Sequence, residues 1–233
     1  MSALPTAAAA VTSIDEAVAR MEGIDAELPA ADGLACFNRM YLGVTTVVRA
    51  RVASGDFADP DFVSHLDVVF ANVYLEAVDA LARDATVPKA WQPLLASRAA
   101  PGIQPIQFAL AGMNAHINHD LPIAVNRACS DLRSAPNDDH HHDDYRKVDE
   151  LLEAAERSVR QSFESGVVLA ADRHGQAVLD VVCNWSMSSA REVAWDTALA
   201  LWSVRRNVWA SNLLTGTLAR TVAMGSRMLL VEV

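Results

Sequence analysis

The residues best suited to chemistry lie in one stretch of this 233-residue chain, Ala109 to Pro122, ALAGMNAHINHDLP. It opens like an apolar helix and then sets two asparagines, two histidines and an aspartate among apolar neighbours. On a helix turning about 100° per residue, Gln107, Asn114 and Asn118 share one stripe, and His116, His119 and Asp120 share roughly the opposite one. Ile106, Leu110, Ile117 and Leu121 fill one flank between the stripes, and Phe108 and Ala115 the other. A helix apolar on both flanks is covered all round, so each polar stripe must be buried or line a cavity. A buried polar group without a partner costs about 1–3 kcal/mol, so both stripes must meet polar groups, water, a metal or a ligand.

Three chemistries suit the cluster. In the first, His116 or His119 moves a proton near neutral pH, while Asp120 or Asp67 orients the ring and holds its charge. Asn38, Tyr41, Asn72, Asn114, Asn118, Arg191 and Trp195 are then the candidates for binding substrate. In the second, His116, His119 and Asp120 ligate a divalent metal such as Zn, Mn or Fe. His65, His119-Asp120 and Asp180 also follow the residue order of HD-type metal phosphohydrolases, but the flanks typical of that motif are absent. Glu-x-x-His repeats, which a carboxylate-bridged di-iron site needs, are absent too. In the third, the polar residues bind a ligand without chemistry or tie helices together. The chain contains no Gly-x-Ser-x-Gly elbow, P-loop or dinucleotide glycine fingerprint.

The elements that must position these residues read as helices throughout. Ser13 and Glu16 form a capping box that opens a short helix ending near Gly23. Leu34, Phe37, Tyr41, Val44, Val48 and Val52 mark a second helix, from about 33 to 53. Asp59-Pro60 opens a third, running to about Arg83. A shorter helix over 88–97 carries Trp91. The central helix spans about 105–133, and Pro122 should kink or split it. Residues 134–144, SAPNDDHHHDD, read as a solvated acidic loop whose histidines would take up metal adventitiously. Helices are expected over 145–164, 176–185, from a Ser189–Glu192 capping box onward, and over 208–233, the last of them buried. No segment alternates like an antiparallel strand. The fold class is all-α: a single-domain bundle of about eight helices around a buried central helix near 105–121, with residues 1–12 as a frayed tail.

Composition narrows the function. The chain is 52% hydrophobic and 21% charged, as expected of a folded soluble protein. Its net charge of −10 repels phosphate backbones, which argues against nucleic-acid partners. No leader peptide or membrane span stands out, and Cys36, Cys129 and Cys183 lack metal-ligand spacing and read as reduced buried thiols, so a cytoplasmic location is expected. Ala-rich terminal helices leave homodimerisation open.

The phrases FNRMYLGVT, FADPDFVSHLDVVFANVY and QFALAGMNAHINHDLPIAV, with a later NW and AREVAWDTALALW, resemble an actinobacterial family catalogued as a domain of unknown function. The resemblance runs from about Gly33 to Trp202. It implies a helical fold and places Asn38, Asp67, Asn72, His116, Asn118, His119, Asp120 and Arg191 in signature segments, without naming a reaction. The expectation is therefore an enzyme that transforms a small molecule by His/Asp acid–base chemistry in an internal cavity, of cyclase, isomerase or lyase type, with no cofactor. The alternatives are a metal-dependent hydrolase or oxygenase and a non-catalytic helical binding protein.

Overall fold

The computed structural model describes residues 4–138, 140–149, 152 and 186–232. All regular structure among them is helical: α1 (Ile14–Glu27), α2 (Gly33–Ser54), α3 (Pro60–Ala82), α4 (Gln92–Ser97), α5 (Pro105–Ala115), a π-helical segment (His116–Asp120), α6 (Leu121–Asp131), α7 (141–149), α8 (Met187–Val204) and α9 (Val208–Leu229). The all-α bundle is as the periodicity predicts. The expected helix over 176–185, most of the one over 145–164, and Cys183 and Asp180 lie outside the described residues. No helix among the described residues is long and apolar enough to cross a membrane.

Local chemistry sets most of the helix starts. The Ser13 hydroxyl accepts from the Glu16 N–H at 3.1 Å, the Asp32 carboxylate from Leu34 at 2.9 Å, and Asp59 from Phe62 at 2.9 Å. Two expected boundaries move. The first helix runs past Gly23 to Glu27, because Met21 and Ile24 are both fully buried and packing outweighs the glycine's weak propensity. The helix expected to open at Ser189 opens at Met187 instead, capped by Ser186.

α5 is the centre of the bundle. It packs between α2 and α9, while α6 continues from it between α3 and α8, and the π segment between them touches α3, α8 and α9. The approach to α2 is close: a Cβ on Gly112 would sit 2.4 Å from the Phe37 ring, so only glycine fits there. Pro122 does not split this rod. The turn before it is π-helical, with the Leu121 N–H bonding the His116 carbonyl five residues back. A proline ring crowds the carbonyl four residues before it, and the wider turn gives that carbonyl room while the helix continues.

Three further expectations are corrected. Residues 4–13 are not a loose tail: the Asn72 side chain bonds both the N–H and the carbonyl of Val11, at 2.9 and 2.8 Å, and Asp79 accepts from the Ala8 N–H. The His-rich segment is not a solvated loop. His141 is buried, stacked on Phe62 at 3.8 Å, and Asp144 is fully buried, accepting from the N–H groups of Ala58 and Asp59. The last helix is buried only on its C-terminal half, and Val208 and Trp209 are 72% and 74% exposed.

Candidate active site

The two polar stripes of the central helix meet different fates. Gln107 donates to the carbonyls of Leu229 and Val231, and Asn114 to the Val222 carbonyl and the Ser226 hydroxyl, both at 2.9 Å. Asn118 donates to Asn114. This stripe fastens α5 to α9, and neither Asn114 nor Asn118 lines the cavity described below. The same holds for Asn38, which donates to the Met21 carbonyl and accepts from the Tyr74 hydroxyl, and for Asn72, which holds the N-terminal segment. Trp195 is buried against Tyr145 and His142, away from the cavity described next.

The other stripe converges on Asp120, which is fully buried. One carboxylate oxygen accepts from the Trp91 indole N–H at 2.9 Å and lies 3.2 Å from His116 Nδ1; the other lies 2.7 Å from His119 Nδ1. An ionised carboxylate only accepts, so both histidines carry their proton on Nδ1. The π turn brings this about: residues one and four positions before Asp120 both reach its carboxylate. Burial alone would raise the Asp120 carboxyl, but the bonds from His116 and His119 outweigh it and hold it below its usual range.

His116 is 3% exposed and sits in an aromatic box. Phe70 stacks on it at 3.6 Å, nearly parallel, and Tyr41 meets it edge-on at 4.2 Å. Burial pushes its imidazole below the ordinary histidine value, against the pull of Asp120, so the ring is neutral at pH 7. With Nδ1–H committed to Asp120, Nε2 presents a lone pair. That atom is buried and has no hydrogen-bond partner among the described residues.

Nε2 is not alone. A cavity of about 70 Å³ is lined by Tyr41, Asp67, Phe70, His116 and Arg191. Three polar atoms of these residues are buried without a partner among the described residues: His116 Nε2, the Tyr41 hydroxyl and Asp67 Oδ2. A second cavity of about 40 Å³ shares Asp67, Phe70 and Arg191 with it. Burial pushes the Asp67 carboxyl up to about 7, the Arg191 charge pulling it partly back. Burial and the Asp67 charge push the Tyr41 phenol well above its usual value, so it stays protonated. Arg191 is already engaged: its Nε donates to Asp149, its Nη2 to the Tyr145 carbonyl at 2.9 Å, and its guanidinium lies 4.1 Å over the Tyr145 ring.

Of the residues expected to do chemistry, His116 and Asp67 therefore face the cavity. Asp120 stands behind His116, and His119 shares Asp120 without lining the cavity. Tyr41 and Arg191 are the substrate-binding candidates that the fold brings to it. The sequence reading missed Trp91 and Asp149, which position Asp120 and Arg191. The isolated Trp91 in a short helix was the one signal for the first; Asp149 offered none.

Asp120 is committed to Trp91 and to the two histidines, and His65 pairs with Asp131 at 3.1 Å near the surface. Among the described residues no group of three or more His, Cys, Asp or Glu side chains is arranged to hold a metal ion.

A family model described as a family of unknown function (DUF5995) matches residues 14–232. The chain belongs to that family. The match takes in every element that builds the cavity, and the family's description assigns no reaction. No curated protein and no solved structure matches the chain.

Proposed function

We propose that this protein is an acid–base enzyme acting on a small molecule in the His116 cavity, of isomerase or lyase type. The observation that carries the reading is His116 itself: Nδ1–H held by a buried carboxylate, Nε2 free and buried in a cavity wall. Asp120 fixes the tautomer and stabilises the imidazolium formed when Nε2 takes a proton, the arrangement by which a carboxylate serves a histidine base. Asp67, protonated over part of its population near neutral pH, supplies the matching acid. For a carbonyl substrate, Nε2 takes a proton from the carbon beside the carbonyl, and the Asp67 carboxyl gives one to the carbonyl oxygen, yielding the enol. Where the carbon beside the carbonyl carries a hydroxyl, this enol is an enediol: His116 then gives its proton to the former carbonyl carbon while the Asp67 carboxylate takes the proton of the neighbouring hydroxyl, which moves the carbonyl over by one carbon and restores both groups. The Tyr41 hydroxyl bonds the oxygen on which charge develops. The reading calls on no cofactor.

The test is deuterium exchange. The protein is incubated in D2O with a panel of small carbonyl compounds, and loss of carbon-bound protons is followed by NMR. Wild type and His119→Gln should exchange at least one compound, and His116→Gln should lose about 10²-fold or more of that rate. Undiminished exchange in His116→Gln, or none by the wild type across the panel, refutes the reading.

A further inference from the structure

The unpartnered atoms of the cavity prescribe the ligand's hydrogen-bonding groups. His116 Nε2 can only accept, because Nδ1 holds the ring's one proton. A ligand that satisfies it must bring an O–H or N–H. The Tyr41 hydroxyl is a buried donor without a well-formed hydrogen bond among the described residues, and its polar neighbour one turn on, the Thr45 hydroxyl, is buried and equally unpaired, so an acceptor on the ligand would complete this side of the site. The Asp67 carboxyl can serve either need according to its protonation. One hydroxyl beside one carbonyl, or a hydroxyl alone, meets these demands.

Charge and size narrow the class further. Arg191 is the cation at the cavity, and it is already matched by Asp149 and bonded to the Tyr145 carbonyl. An anionic ligand would face the Asp67 carboxyl with no uncommitted positive charge among the described lining residues. A cationic ligand would have to displace Arg191 from its contacts or sit against the faces of neutral rings. An uncharged ligand avoids both costs. A cavity of about 150 Å³ lined by apolar groups takes a benzene ring, and this one is about 70 Å³. It therefore fits a molecule of a few heavy atoms as it stands. Met40, Met113 and Met187 are part of the wall. Methionine side chains rearrange easily, so the cavity can widen toward its neighbour to admit a somewhat longer apolar tail.

We propose that the cavity binds a small, uncharged hydroxy compound, a short hydroxyketone or alcohol, with its O–H donated to His116 Nε2 and its oxygen acceptor on the Tyr41 hydroxyl. The proposal rests on the reading of this cavity as the functional site, but binding and chemistry are separable.

Three probes of similar size make the test. Hydroxyacetone has both groups, butanone keeps the acceptor and loses the donor, and glycolate carries a negative charge. Their binding to the wild-type protein is titrated by ligand-observed NMR in D2O, and carbon-bound deuterium exchange is read from the same spectra. Hydroxyacetone should bind about tenfold or more tightly than butanone, because butanone leaves Nε2 unpaired, and more tightly than glycolate. Tyr41→Phe, with folding verified by its melting temperature, should weaken hydroxyacetone binding about tenfold. Equal binding of butanone, preference for glycolate, no saturable binding of hydroxyacetone, or a folded Tyr41→Phe that binds it undiminished would each overturn the proposal. Selective binding without exchange would uphold the ligand class and count against the catalytic reading. Exchange of a probe outside the class would do the reverse.

Discussion

Replacing Asp67 by asparagine tests the electrostatics of the site without needing a substrate. The carboxyl titrates near 7 in the folded protein, against an ordinary aspartate value of 3.8. Its native form thus holds a proton that the unfolded chain has already lost between about pH 4 and pH 7. The stability linked to that proton is complete below the unfolded value and is gone once pH has risen through about 7. A displacement of about three pH units corresponds to roughly 4 kcal/mol at most. The residue is only part-buried, and relaxation and water entry reduce that, so a measured change of about 2–3 kcal/mol is expected. An asparagine at this position cannot ionise and lacks the dependence. His116 acts in the opposite sense: its folded value is lowered, so it removes stability as pH falls below its unfolded value of 6.5. Taking the difference between Asp67→Asn and wild type cancels that contribution. Urea unfolding of both proteins at intervals from pH 4.5 to 8.5 gives the difference directly. The variant should gain on wild type steadily up to about pH 7 and hold a constant advantage above it. A difference independent of pH over that range would refute the argument that the cavity desolvates Asp67.

The remaining predictions concern positioning and packing. Trp91→Phe removes one of the three donors to a fully buried carboxylate and should cost about 1–3 kcal/mol in urea unfolding, with Asp120 less well held. Gly112→Ala drives a methyl into the Phe37 ring and should cost about 1–3 kcal/mol; a loss within experimental error would mean that α2 and α5 can separate freely. Asn114→Ala should lower stability by about 1–2 kcal/mol through its lost bonds to α9, while leaving hydroxyacetone binding in the cavity unchanged. Nitrogen-15 NMR of His116 should show the Nδ1–H tautomer, neutral at pH 6.5, and an imidazolium already dominant at that pH would contradict its burial.

The legible parts of the fold were the local ones. Asp59-Pro60 announces α3, because an acid that caps and a proline that needs no donor are favourable at a helix start whatever packs on the helix later. The same is true of Ser13 before α1. Legibility failed where a distant partner decided. The segment 134–144 looks polar enough for solvent, yet the Phe62 ring and the orphan N–H groups at the start of α3 draw His141 and Asp144 inward. The N-terminal residues look uncommitted until the Asn72 side chain of α3 is found bonded to Val11.

The central stretch shows the division most clearly. Its sequence alone determined that the helix was apolar on both flanks and that two polar stripes lay between them, because periodicity is a property of the chain itself; in the fold Gln107 of one stripe is buried while Asn114 and Asn118 are part-buried. Which stripe was fastening and which faced a cavity was decided only by the neighbours. α9 offers the carbonyl at its C-terminal end, Leu229, to Gln107, and the Val222 carbonyl and Ser226 hydroxyl to Asn114, and both amide side chains are consumed there. On the other side α2 and α3 offer rings and apolar side chains, so Asp120 takes its donors from Trp91 and from its own helix. His116 Nε2, with no donor among the described residues to meet it across that wall, is left facing the cavity. A hydrogen bond between residues a hundred positions apart depends on how the helices dock, and docking is set by the whole packed core rather than by any one segment.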